Sequence, residues 1–275
     1  MQHLALIGFG AIGQTLLQAI CDYPGGAPER LSLLVRPGAA DRTRLLAEGI
    51  GAGQIGQIDI TTDIADLLVA MPDLVVECAG HQAVAEFGPR VLDAGTSLVV
   101  ASIGALGDDV LFQLLRDAAE KTSAQIILPA GAIGGVDALA AARLSGLQGV
   151  IYTGRKPPSA WKGTEAEQRL DLDALTQEAV FFEGSARQAA KAFPKNANVA
   201  ATLALAGVGM DATRVRLIAD PQVTANIHEY EVRSAAVDYS VRLIGKASPL
   251  NPKTSLSTAF SLARTILNRS DAIVI

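Results

Sequence analysis

A two-domain α/β protein is predicted, with a Rossmann-like doubly wound parallel sheet first and an α+β domain carrying a mixed or antiparallel sheet second. Three observations predict it. Short apolar runs alternate with helix-like segments up to about residue 130, a glycine-rich turn joins the first run to the first helix, and longer alternating strands follow Pro129. The 275 residues are 49% hydrophobic and 19% charged, which is enough apolar material for two cores. Aromatic residues supply only 4%, which suits close helix-on-sheet packing better than a sandwich of short strands.

In the first half, strands are expected at Leu4 to Ile7, Leu31 to Val35, Leu74 to Glu77, Leu98 to Val100 and Gln125 to Leu128, with a weaker one at Ile58 to Thr61. Between His81 and Ala94, Val84, Phe87, Val91 and Leu92 recur at helical spacing. Val110, Leu111, Leu114 and Leu115 repeat that pattern between Asp108 and Glu120. After Pro129, Gly131, Gly134 and Gly135 open a predicted helix running through Leu144. Strands are then expected at Val150 to Arg155, Ala179 to Glu183, Arg214 to Ala219, Ala225 to Arg233 and Val237 to Ile244. Helices are expected at Ser185 to Lys191 and Asn198 to Ala206. A last helix, Thr254 to Asn268, follows Asn251-Pro252-Lys253, where Pro252 should interrupt pairing and Thr254 should cap.

A net charge of −5 gives no electrostatic reason for a polyanionic partner, so nucleic acid is not expected. The two cysteines, Cys21 and Cys78, cannot build a disulfide framework or a four-ligand metal site, so no metal is expected and a reducing cytoplasm fits. The N-terminus lacks the basic region and cleavage site of a signal peptide, and no apolar run is long enough to span a bilayer; a soluble, unprocessed protein without a membrane partner is the expectation.

The first strand leads directly into Gly8-Phe9-Gly10-Ala11-Ile12-Gly13 and a helix. In that context Gly8 permits the tight turn, Gly10 permits close approach of a pyrophosphate to the helix N-terminus, and Gly13 lets helix and strand touch. A glycine-rich turn with no ligand is the competing reading, and the flanking strand and helix weigh against it. The motif points to NAD or NADP. The second strand ends Leu34-Val35-Arg36, with no carboxylate for the ribose hydroxyls. Arg36 is therefore either a partner for a 2′-phosphate or adenine, or a solvated surface cation. Cys78-Ala79-Gly80-His81, Ala101-Ser102-Ile103-Gly104 and Ala130-Gly131-Ala132 place small residues at carboxyl ends of strands, where a nicotinamide would lie. Apart from His81, no base is arranged near Cys78 in sequence, and Cys78 reads as a small packing residue rather than a nucleophile. His81, at a helix start, reads as a cap or surface residue.

Over nearly its whole length the chain resembles the L-aspartate dehydrogenases. The resemblance rests on Gly8 to Gly13, Pro129-Ala130-Gly131-Ala132-Ile133-Gly134-Gly135, Gly154-Arg155-Lys156-Pro157-Pro158, Phe193-Pro194-Lys195-Asn196-Ala197-Asn198-Val199-Ala200, and the histidine of Asn226-Ile227-His228-Glu229. It implies oxidation of L-aspartate to iminoaspartate with NAD or NADP, His228 as the active-site residue, Ala130 and Asn196 as dinucleotide contacts, and a homodimer or higher homo-oligomer. Residues 1–130 are then the dinucleotide-binding domain, 131–250 the substrate, catalytic and oligomerisation domain, and 251–275 a C-terminal helix returning to the first domain.

Hydride leaves an amino acid's α-carbon only when the nitrogen lone pair is free to form the C=N bond, so a base is needed. An imidazole of ordinary pKa near 6.5 suits that task. Strand alternation puts Asn226, His228, Tyr230 and Val232 on one face of their strand. A structural histidine is the commoner outcome of periodicity alone, and the resemblance is what favours a general base. Two substrate carboxylates require several donors, and the polar residues of the family-like blocks are Arg155, Lys156, Lys195, Asn196, Asn198, Lys253, Thr254 and Ser255. Of these, Asn198, Lys195, Lys253, Thr254 and Ser255 are taken as substrate ligands, the last three at an anion-binding helix start. The reverse reaction would consume oxaloacetate and ammonia. Another dehydrogenase of the same layout, such as one like homoserine dehydrogenase, and a non-catalytic dinucleotide sensor are the competing readings; a sensor would need no base in the second half.

Overall fold

The computed structural model describes residues 1–274, without the side chains of Lys195, Pro252 and Lys253. It divides into two compact units, Met1–Pro129 with the chain from Thr258 onward, and Ala130–Ser257.

In the first unit six strands, β1 (His3–Ile7), β2 (Arg30–Leu34), β3 (Gln57–Thr61), β4 (Leu74–Glu77), β5 (Leu98–Val100) and β6 (Ile126–Ile127), form a sheet in the order β3-β2-β1-β4-β5-β6. All its pairings are parallel. Every residue of β1, β4 and β5 is buried, which is why these strands read as unbroken apolar runs rather than alternating ones. The helices α1 (Ala11–Asp22), α2 (Ala40–Ile50), α3 (Ile64–Val69), α4 (His81–Asp93) and α5 (Asp109–Thr122) are the crossovers. α5 is capped by Asp108, whose carboxylate accepts from the N–H groups of Val110 and Leu111. Gly80, at φ +121, is the N-cap of α4, so the expected capping role does not fall to His81.

The second unit holds α6 (Val136–Ser145), β7 (Leu147–Lys156), β8 (Ala179–Ser185), α7 (Ala186–Ala192), α8 (Asn198–Ala206), β9 (Arg214–Ala219), β10 (Ile227–Ser234) and β11 (Tyr239–Ile244). The last five strands named form one sheet, in the order β11-β10-β7-β9-β8. Only β7 and β9 pair in parallel, so the sheet is mixed. The glycines expected to open α6 lie before it, with Gly131 and Gly135 at φ +69 and +70, a left-handed conformation that costs glycine little and ends the extended lead-in. α7 begins with a capping box between Ser185 and Gln188. β11 starts two residues later than its alternation suggests, because the Ser234 N–H donates to Asp238 Oδ1 and the Ser234 hydroxyl to the Val237 carbonyl, holding a turn there.

The end of the chain departs from expectation. Asn251–Ser255 is a strand, β13, paired antiparallel with β12 (Ala247–Ser248), and α9 (Leu256–Leu267) begins after it. Thr254 is thus a strand residue and not a cap; ladder pairing prevails over the helix-start signal. The Leu256 N–H, at the head of α9, is taken by the Lys246 carbonyl. From α9, Leu262, Ala263 and Ile266 join Leu4, Leu16, Ile20 and Leu31 in the first unit's core. Each leucine or isoleucine among them, withdrawn from water, contributes on the order of 2 kcal/mol.

Candidate active site

The first unit presents the carboxyl edge of its parallel sheet. Gly8 sits at φ +89, and a Cβ there would lie 2.8 Å from Ala79 Cβ. Gly13 is buried; a Cβ on it would stand 3.0 Å from the Gly8 carbonyl oxygen and 3.3 Å from Cys78 Sγ, so α1 packs against β1 and β4 only because position 13 has no side chain. Gly10 is the N-cap of α1, where a Cβ would meet nothing within 4 Å, no side chain caps the helix, and no acid lies in its first turn. An open helix N-terminus with exposed amide donors and a permissive glycine fits a dinucleotide pyrophosphate. Ala11 and Ile12 form the first helical residues of this turn, half-buried beside it. Arg36, just beyond β2, is exposed and pairs with no carboxylate among the described residues.

The side chain that organises this edge, Glu77, was not singled out by sequence reasoning. It is fully buried at the end of β4. Its Oε1 accepts from the N–H groups of Ala79 and Gly80, both at 2.7 Å, and from the Ser102 hydroxyl at 2.9 Å; Oε2 accepts from the Ser102 N–H at 3.0 Å. One carboxylate therefore ties the loop after β4 to the loop after β5 through charge-assisted bonds. Its only sequence signal is a carboxylate ending an otherwise apolar strand. The Cys78 thiol donates to the Gly8 carbonyl at 3.1 Å, and burial, then the Glu77 charge, push its pKa up, so it stays protonated. That is a packing thiol, not a nucleophile.

In the second unit, β7 and β10 are antiparallel neighbours with His228 opposite Gly154. On β10, His228, Tyr230, Val232 and Ser234 are buried while Glu231 and Arg233 are exposed, as two-residue alternation requires. Val150, Tyr152, Gly154 and Lys156 form the buried side of β7. Tyr152 leans along its strand so that its hydroxyl lies 2.8 Å from His228 Nδ1, the two rings nearly parallel at 17°. Position 154 must be glycine for this, because a Cβ would come within 2.8 Å of that hydroxyl. Tyr230 anchors the other end of the face, its hydroxyl donating to the Gly134 carbonyl at 2.9 Å.

His228 is 5% exposed. Burial, and after it the positive charge of Lys156, lower its pKa to about 3, so the imidazole is neutral. Burial likewise pushes the Tyr152 hydroxyl up, leaving it protonated at any ordinary pH. Lys156 is 9% exposed, with its pKa brought down to about 8 by burial. Its Nζ donates to Asn196 Oδ1 at 2.6 Å and lies 4.9 Å from the Trp161 ring centre. Trp161, fully buried, packs edge-on against Phe181 and Phe193, which places the short 3-10 turn Pro194–Asn196 beside β7.

The other residues expected at the site are distributed as follows. Asn196 stands against Lys156, and Asn198 is the first residue of α8, its carbonyl accepting from the Thr202 hydroxyl. Ala130 follows β6 and its carbonyl accepts from the Ile133 N–H. Arg155 is engaged by Asp220 at 2.7 Å and by Glu178, which removes it from the donors free to meet a carboxylate. The expected anion-binding helix start at Lys253, Thr254 and Ser255 does not form: Thr254 and Ser255 belong to β13, and the Ser255 hydroxyl is shared with Ser257. The side chains of Lys195 and Lys253 lie outside the described residues.

Family comparisons agree with both halves. The family model described as aspartate dehydrogenase, C-terminal, matches residues 137–269, and that described as homoserine dehydrogenase, NAD binding domain, matches residues 8–129. An L-aspartate dehydrogenase from Pseudomonas aeruginosa is 50% identical over 100% of both chains, and one from Ralstonia pickettii is 47% identical over the same coverage. The crystal structure of aspartate dehydrogenase from Thermotoga maritima matches with a TM-score of 0.76 and 28% identity, covering 100% of this chain and 99% of that one. An amine dehydrogenase from Mycobacterium smegmatis, 12% identical with a TM-score of 0.56 over 98% and 92% of the two chains, shares the fold alone. The homoserine-type match stops at residue 129, while the aspartate dehydrogenase relatives span everything from the glycine turn to the last helix: this chain belongs to the L-aspartate dehydrogenase family.

Proposed function

We propose that the protein oxidises L-aspartate to iminoaspartate with NAD or NADP, water then giving oxaloacetate and ammonia, and that it catalyses the reverse amination when those are supplied. The observation that carries this reading is a neutral, buried imidazole, His228, held through Nδ1 by Tyr152 on the sheet face of the second unit. When bound, the dinucleotide supplies the hydride acceptor.

The residues divide the remaining work. Gly8, Gly10, Ala11, Ile12 and Gly13 receive the pyrophosphate on the α1 N-terminus, Cys78 and Ala79 border the nicotinamide, and Ala130 and Asn196 contact the dinucleotide. Arg36 meets the adenosine end, where its charge suits a 2′-phosphate. Among the polar residues of the family-like blocks, Asn198 and Lys195 remain the candidate substrate ligands, since the helix start expected at Lys253, Thr254 and Ser255 gives way to a strand. The hydroxyl–imidazole contact supports His228 as general base: in the tautomer that donates Nδ1–H to Tyr152 Oη, the Nε2 lone pair takes a proton from the substrate ammonium, or from the water that attacks the imine. Burial keeps bulk water from competing for that lone pair.

The deciding assay follows nicotinamide reduction over a panel of L-amino acids, with NAD and NADP in parallel. Wild-type protein is expected to respond to L-aspartate above all others, and His228→Ala to lose on the order of 10²- to 10⁴-fold in kcat with dinucleotide affinity retained. A wild-type protein silent with L-aspartate would end the proposal; a His228→Ala enzyme of full turnover would end the role of the base.

A further inference from the structure

Lys156 is a buried cation without a counter-ion among the described residues. Removing an ammonium from water costs several kcal/mol unless an opposite charge is close. Yet its sole hydrogen-bond acceptor among the described residues is a neutral amide oxygen, that of Asn196, and its other close neighbour is the Trp161 ring. The acid nearest along the sheet is already committed: the Asp220 N–H donates to the Lys156 carbonyl, but its carboxylate accepts from Arg155 and from the Gln222 N–H. An ammonium has three N–H donors, and one goes to Asn196. Two remain for a ligand.

We infer that Lys156, steadied by Asn196, is the receptor for a carboxylate of the substrate, a position that completes an otherwise uncompensated charge on the His228 face. The inference rests on the proposed dicarboxylic amino acid substrate. It also bears on the basicity of His228. Burial is the first cause of that histidine's weakness and the Lys156 charge the second, so a carboxylate bound to Lys156 removes the second and leaves the first. His228 is therefore a stronger base with the substrate seated than in the free protein. Asn196, with its oxygen given to Lys156, keeps its NH₂ group for the dinucleotide or the same carboxylate.

The test uses the full chain with NAD bound and succinate as probe, a dicarboxylate with no amino group and hence no turnover, titrated calorimetrically. Lys156→Met and Lys156→Gln, the second of which retains an amide donor toward Asn196, are each expected to weaken succinate binding and raise the KM for L-aspartate by about 10- to 100-fold, with NAD affinity unchanged. Unchanged succinate affinity and KM in whichever variant folds would overturn the inference. Equal losses of succinate and NAD affinity would also overturn it, since Lys156 would then only support Asn196. Should wild-type protein bind succinate through Lys156 yet leave L-aspartate unoxidised, the carboxylate receptor stands and the proposed reaction falls.

Discussion

Replacing Glu77 with glutamine keeps the shape of the side chain and removes one acceptor. In the best orientation the amide oxygen takes the place of Oε1 and retains Ala79 N–H, Gly80 N–H and the Ser102 hydroxyl, while its NH₂ faces the Ser102 N–H, donor against donor. Ser102 is 8% exposed and Glu77 fully buried, so water does not readily replace the lost acceptor. An unsatisfied buried N–H costs about 1–3 kcal/mol, and the bonds that survive lose their charge assistance, which makes roughly 3 kcal/mol a reasonable total for Glu77→Gln. For units of this size that corresponds to a fall in Tm of roughly 6–12 °C. Differential scanning calorimetry should show the fall in the transition of the first unit, and because Ala79 and Gly80 are the residues released, dinucleotide affinity should fall as well. A variant melting within about 2 °C of wild type, against that expected loss, would refute the view that this carboxylate holds the two loops together.

Two further outcomes follow from the charges. His228 has an ordinary unfolded pKa near 6.5 and a folded value of about 3, so below pH 6.5 the unfolded chain takes up a proton that the native protein refuses. Stability is therefore complete above that range and lost as pH falls from 6.5 toward 3, by about 2 kcal/mol between pH 6.5 and 5 from this residue alone; urea unfolding at both pH values should show a correspondingly smaller difference in His228→Gln, and an identical difference would remove the residue from the account. Arg36→Ala should weaken NADP binding by about tenfold and leave NAD binding near wild type, as measured by fluorescence titration; equal effects on both would assign Arg36 to the adenine or to solvent.

Strand and helix positions were largely legible in the chain, because they depend on local periodicity. Asn198–Ala206, Arg214–Ala219 and Leu74–Glu77 are where the apolar pattern puts them. The glycine turn was equally legible: the demand for residues without side chains at 8, 10 and 13 is written in their identities, and the contacts at Gly8 and Gly13 supply its reason. The chain's end was misread because Thr254 carries the same capping signal in a helix lead-in as in a strand, and only pairing with Ala247 and Ser248 distinguishes the two.

Charge and partnership at the site were decided by the tertiary structure. His228 could be placed on a sheet face from alternation, but its burial, its Tyr152 partner and its neutrality depend on a strand 76 residues away. Arg155 and Lys156 are adjacent and look equivalent in sequence; strand geometry sends the first to Asp220 and Glu178 and turns the second inward to Asn196. Glu77 likewise acquires its role only when the loop bearing Ser102 comes alongside. Periodicity and backbone sterics act over a few residues and are readable in one dimension, whereas desolvation and hydrogen-bond satisfaction depend on which distant groups close around an atom.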